Sequence, residues 1–195
     1  MMEAKTEYNK TKDPKLLKEI SRCHNIQWAK KISLNSAYGA IGNQYFRFYD
    51  VRQATAITSS GQFVIQYIEK QVNKYMNEIL QTKDQVDYIV ASDTDSIYLT
   101  LDKLVDKVCK DKTKEQKLNF VDKVATQKIE PFIEKCFKEL ADYTNAFDQK
   151  MVMKREVIAD KGIWTAKKRY MLNVLDEEGF RYEAVSYTHL RAHET

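Results

Sequence analysis

The chain has 195 residues, 43% hydrophobic and 31% charged. That is enough apolar material for one domain with a real core, or for a piece of a larger one, and it excludes a disordered chain. The net charge of +4 is too mild to announce a nucleic-acid partner by itself.

Residues 1–13 are polar. From Pro14, a good first-turn residue, Leu16, Leu17, Ile20, Cys23, Ile26 and Leu34 recur at helical spacing, and Gly39 and Gly42 supply a stop. Lys31, Asn35 and Tyr38 lie four and three residues apart and share one face of this helix. A cation, an amide and a phenol ring in a row can meet a phosphate, a sugar or base edge, and a flat base. Taken alone, they equally suit a helix edge with Tyr38 packed and Lys31 solvated.

A long helix is expected over 50–80, with Asp50 as its N-cap and an apolar stripe of Val51, Ala54, Ile57, Val64, Ile65, Ile68, Val72 and Ile79. Gly61 within it costs helix stability and marks a candidate close approach. Arg47 and Arg52 read as solvated surface.

Next, two runs rich in β-branched and aromatic residues (Tyr88 to Val90, Ile97 to Leu101) flank Asp93-Thr-Asp-Ser96. Asp and Ser favour tight turns, so the expectation is a hairpin with two carboxylates at its tip. Like charges held together call for a cation, and Mg²⁺ takes one or two carboxylates plus substrate phosphates. On its own, the run is also a solvated acidic turn or an unrelated Ca²⁺- or Mg²⁺-binding loop.

Helices are expected over 102–112 and 115–143, the second kinked or split at Pro131. The eleven basic and ten acidic residues of 102–150 make a solvated face. Met151 to Ala159 alternates as a strand that Lys161-Gly162 breaks. Thr165 to Leu175 reads as another, turning at Asp176-Glu-Glu-Gly179. In it Lys167 and Arg169 point one way, Lys168 and Tyr170 the other, so one set meets solvent or a polyanion.

Cys23, Cys109 and Cys136 are widely spaced without a Cys-x-x-Cys pair, which argues against a disulfide framework or structural zinc and fits a reducing compartment. No apolar run reaches membrane-spanning length, and the N-terminus has no signal-peptide core.

Three stretches together resemble one family. Lys31-Ile-Ser-Leu-Asn-Ser-Ala-Tyr-Gly39 is similar to the Lys-x-x-x-Asn-Ser-x-Tyr-Gly motif of the fingers helix in family B DNA polymerases. Asp93-Thr-Asp-Ser96 resembles that family's second catalytic carboxylate motif in the palm, and Lys167-Lys-Arg-Tyr170 its Lys-Lys-x-Tyr motif on the primer–template side. They occur in the family's order. Phe46-Arg-Phe-Tyr-Asp50 and Ala54-Thr-Ala-Ile-Thr58 look most like the T4-type phage group.

The resemblance implies an α+β fold: a long fingers helix, then an antiparallel palm sheet backed by helices. Residues 1–42 would be the C-terminal part of the fingers and 43–185 the palm. Residues 186–195, with His189 and His193, do not continue the family pattern and read as a foreign or misassembled tail. It further implies two-metal nucleotidyl transfer from a dNTP to a primer 3′-hydroxyl. Asp95 would be a direct Mg²⁺ ligand and Asp93 a supporting one. Lys31 would meet the triphosphate, Asn35 and Tyr38 would line the nascent base pair, and Lys167, Lys168, Arg169 and Tyr170 would hold primer–template DNA. Glu156 matches an acidic position near the site. The expected setting is the cytoplasm of a phage-infected or bacterial cell, with a sliding clamp met through regions C-terminal to this chain.

Departures are equally specific. The upstream Asp-x-x-Ser-Leu-Tyr-Pro motif is absent, since neither Pro14 nor Pro131 follows a Tyr, and Ser92 stands where the family usually has Gly. There is no room for an exonuclease domain, the first part of the fingers or a thumb. The expectation is a fragment that is inactive alone, because one side of the metal site lies elsewhere. The alternative is a non-catalytic nucleic-acid-binding or structural palm-like module.

Overall fold

The computed structural model describes residues 7–8, 11–82, 86–166, 168–177 and 179–190. The chain divides into two compact units, Met1–Ser60 and Gly61–Thr195, each described here by itself.

In the first unit the Asp13 carboxylate accepts from the Lys15 N–H at 2.9 Å, and Pro14 opens helix α1 (Pro14–Ile41) with its φ already helical. Of the two glycines expected to stop it, only Gly42 does; its N–H reaches the Tyr38 carbonyl at 3.3 Å. Apolar residues recur along α1 as expected, yet none is buried. The loop that follows folds back through the Asp50 N–H onto the Ile41 carbonyl at 3.1 Å. Asp50 then caps α2 (Val51–Leu80), accepting from the Arg52 N–H at 2.9 Å and pairing with its guanidinium at 3.2 Å.

From Gly61 onward α2 belongs to the second unit, and only there does its stripe become core: Ile68, Val72, Met76 and Leu80 are buried. Gly61 has open space around it, so the close approach expected there does not exist. Strands β1 (Ile89–Asp93) and β2 (Ser96–Leu99) form an antiparallel ribbon. After α3 (Asp102–Cys109), Thr113 caps α4 (Lys114–Val124) in a reciprocal capping box with Gln116.

A π-helical turn, Ala125–Ile129, separates α4 from α5 (Glu130–Tyr143). Pro131 is the reason. It has no N–H to give the preceding turn and its ring crowds the carbonyl four residues back, so the helix widens just before it. The Glu130 N–H accordingly reaches the Ala125 carbonyl. The split expected at Pro131 is therefore present as this π-helical turn just ahead of it.

The core joins Ile68, Val72, Met76 and Leu80 to Tyr88, Ile129, Ile133, Cys136 and Phe137, with Ile89, Ile97 and Leu99 of the ribbon packed against it. Each fully buried large apolar side chain contributes roughly 1.5–3 kcal/mol. Helices thus back the ribbon, as an α+β layer requires.

A second sheet is built from β3 (Val157–Ala166), β4 (Arg169–Glu177) and β5 (Phe180–Leu190) in that order, all antiparallel. The strands differ from expectation at three points. Residues 151–156 are not strand, and β3 runs straight through Lys161-Gly162 instead of breaking there. A Cβ on Gly162 would lie 2.7 Å from the Trp164 ring, so the glycine makes room within a strand. Nor does Lys168 sit inside a strand: it is in the turn between β3 and β4, at φ 64°, and Lys167 lies outside the described residues. The alternation of faces expected for the four motif residues therefore fails at Lys168. At the next turn Gly179, at φ 89°, donates its N–H to Asp176 at 3.0 Å.

The antiparallel character expected of the sheet is observed, but as two small sheets among the described residues. Residues 186–190 continue β5 beside β4, while His193 lies outside the described residues. Among the described residues no helix is long and apolar enough to cross a membrane.

Candidate active site

Position follows from alternation along β2. Ile97 and Leu99 pack on the core, so Ser96 and Tyr98 point to the opposite face. The ribbon register pairs Asp93 with Ser96, which leaves Thr94 and Asp95 as the two turn residues. Thr94 has φ 52°, a left-handed conformation uncommon for a β-branched residue. Its hydroxyl donates to Asp93 Oδ1 at 3.0 Å. The Ser96 hydroxyl, at 3.1 Å, and the Asp95 N–H both donate to the Asp93 carbonyl. Asp93 is half-buried and Asp95 exposed at the tip.

The basic turn meets the acidic one. Lys168 Nζ stands 3.9 Å from Asp93 Oδ1, each side chain about one-third exposed (36% and 31%). The motif residue Arg169 opens β4 and is exposed, while Tyr170 is half-buried. Tyr170 belongs to a three-ring cluster that the sequence did not reveal. The Tyr98 ring lies 5.3 Å from Tyr170 at 60° and 5.5 Å from Trp164 at 74°, and Trp164 stacks on Tyr170 at 6.4 Å. Burial pushes the Tyr98 hydroxyl well above its ordinary pKa of 10, and a hydrogen bond to Tyr170 adds to the rise. The signal for Tyr98 lay in period 2: it shares the face of Ser96.

Glu156 is exposed immediately ahead of β3. Its neighbour Arg155, also missed, is fixed on three sides. The guanidinium pairs with Asp176 and with Asp122 (2.8 Å), and the Arg155 N–H donates to Glu130 at 2.8 Å. In the first unit, Lys31, Asn35 and Tyr38 are all exposed on α1.

Among the described residues no group of three or more His, Cys, Asp or Glu gathers where it would hold a metal. Asp93 and Asp95 are a two-carboxylate donor set, which suits a hard divalent cation that takes its other oxygen ligands from elsewhere.

An acidic and a basic turn thus converge within an α+β segment. A family model described as DNA polymerase family B matches residues 2–141, and the chain belongs to that family. It is 46% identical over 163 residues to the DNA-directed DNA polymerase of Escherichia phage RB69, covering 78% of this chain and 18% of that protein. To the DNA-directed DNA polymerase of Enterobacteria phage T4 it is 45% identical over 175 residues, covering 85% of this chain and 19% of that protein. The chain thus spans less than a fifth of the length of these relatives.

Proposed function

We propose that this chain is the segment of a DNA-directed DNA polymerase that carries part of its nucleotidyl-transfer site, with residues 1–42 from the fingers and 43–185 from the palm. The observation that carries the reading is the approach of Lys168 Nζ to Asp93 Oδ1, 3.9 Å, which brings two motifs remote in sequence to one place.

In the reaction a primer 3′-hydroxyl attacks the α-phosphate of a dNTP and pyrophosphate leaves. Bound Mg²⁺ ions would stabilise the attacking and leaving oxygens. Asp95, exposed at the tip, is the direct ligand in this reading, and Asp93, tied to Thr94 and Lys168, supports it. A further carboxylate has to come from a segment outside this chain. Lys31 offsets charge on the triphosphate, while Asn35 and Tyr38 border the nascent base pair. Lys167, Lys168 and Arg169 bind backbone phosphates, which positions the duplex without reading its sequence, and Tyr170 packs beside a sugar or base. Glu156 adds an acidic group near the site. A sliding clamp would engage regions beyond this chain.

The test uses the 195-residue chain and a fluorescent primer–template duplex, with anisotropy followed across a salt series. Lys168→Ala and Arg169→Ala should each reduce the slope of log affinity against log salt by about one. With Mg²⁺ and dNTPs the chain should give no extension. In the full-length parent, Asp95→Ala should abolish extension and leave duplex binding nearly intact. Extension by the isolated chain, or duplex binding indifferent to salt and to both substitutions, would overturn the proposal.

A further inference from the structure

Nothing in the paired turns explains why they meet. Each is the tip of a different sheet, and the ion pair between them is long and partly solvated, a kind of contact that contributes little. So weak a pair does not hold two hairpins in register.

The three-ring cluster does. Trp164 and Tyr170 are register partners across β3–β4, at the end of the hairpin that carries Lys168. Gly162 leaves the space into which Trp164 folds: a Cβ there would lie 2.7 Å from ring atoms Cη2 and Cζ3. Tyr98 comes from the other sheet, two residues after Ser96, the register partner of Asp93. Its ring meets both Trp164 and Tyr170 edge-on, the geometry in which aromatic quadrupoles attract. Tyr98 is therefore tied at once to the acidic ribbon and to the basic hairpin.

From this arrangement we infer that Tyr98 is a positioning residue: it docks the Lys168 turn on the Asp93 turn and so keeps the ammonium beside the carboxylate. The inference rests on the reading that Asp93 and Asp95 face a cation. Held there, Lys168 competes with any multivalent cation for Asp93; released, it becomes an ordinary surface lysine. Losing the brace should thus expose Lys168 and strengthen cation binding, whereas mere loss of structure would weaken it.

The experiment follows Lys168 acetylation in the 195-residue chain by mass spectrometry, with the exposed Lys110 as reference in the same molecule. Terbium(III), a hard oxygen-seeking cation detected by sensitised luminescence, is titrated in parallel. Tyr98→Ala should speed Lys168 acetylation by about two- to fivefold relative to Lys110, and Tyr98→Phe, which keeps the ring, should stay close to the parent rate. Tyr98→Ala should also tighten terbium binding about two- to threefold, an effect that disappears in the Lys168→Ala background. A Lys168 rate unmoved by Tyr98→Ala overturns the inference, as does terbium binding that weakens equally with and without Lys168. Terbium affinity indifferent to both Asp93→Asn and Asp95→Asn overturns the cation reading alone, because the acetylation comparison needs no metal.

Discussion

Thr94 shows how much a single residue can be asked to tolerate. A β-branched side chain at φ 52° costs of order 1–3 kcal/mol, offset here in part by its hydroxyl bond to Asp93. Asn accepts this backbone conformation and can still bond locally, so Thr94→Asn should raise the urea midpoint, by about 1 kcal/mol of stability. Asp160 makes a pH prediction. Burial alone would raise its pKa, but hydrogen bonds from Lys114 (3.0 Å) and Asn173 (2.6 Å) outweigh it and hold the carboxyl below its ordinary 3.8. A carboxyl with a depressed folded pKa stabilises the protein above the unfolded pKa and loses that contribution as pH falls through the folded one. The stability gap between the parent and Asp160→Asn should accordingly be full at about pH 5 and shrink progressively as the pH is taken down below 3.8, as urea midpoints across an acid pH series would show.

Between residues and fold stand a few side chains that act as backbone. Asn73 and Asn77, one turn apart on α2, treat the segment before β1 as if it were a neighbouring strand. Asn77 accepts from the Val86 N–H at 3.0 Å and donates to its carbonyl at 2.8 Å; Asn73 accepts from the Tyr88 N–H at 2.8 Å and donates to Asp87 at 2.8 Å. This ladder fixes where β1 begins, and hence where its acidic turn ends up. Asn77→Ala leaves both Val86 groups unpaired and reduces the Thr82 hydroxyl to its 3.4 Å bond to the carbonyl of residue 77, and should destabilise the second unit by about 2 kcal/mol in urea unfolding.

Such elements explain what the sequence displayed and what it hid. The acidic hairpin was legible because strand formers stop abruptly at Asp-Thr-Asp-Ser, a local signal. The turn at Lys168 was not, since Lys168 enters the left-handed region without the usual Gly or Asn. Gly162 misled in the opposite sense: it looks like punctuation but serves tertiary packing under Trp164. Along α1 the helix was readable and the burial was not, because spacing defines a face without naming what covers it. Tyr98 escaped for a similar reason. Its partners lie on another sheet, and no local pattern reports them.

At the scale of the second unit, α4, α5 and the three-stranded sheet are fastened through Arg155. Its partner Asp176 is only 2% exposed and bonds in addition to the Gly179 N–H, while Asp122 and Glu130 reach the arginine from the helical layer. Removing one member of a buried pair strands the other charge, which costs several times what the pair contributes. Arg155→Ala leaves Asp176 with only the Arg181 guanidinium at 3.7 Å and the Gly179 N–H. It should therefore destabilise by somewhat less than the roughly 3–5 kcal/mol of a fully stranded charge, and adding Asp176→Asn should recover part of the loss, as thermal or urea unfolding of the two variants would show.

The β1–β2 ribbon has one further consequence. Among the described residues each of its two strands has a single hydrogen-bonded strand neighbour, so both outer margins present amide groups in a row. A lone pair of strands is only marginally stable, and here it leans on the helices behind it. Margins of this kind accept an additional strand from whatever chain offers one.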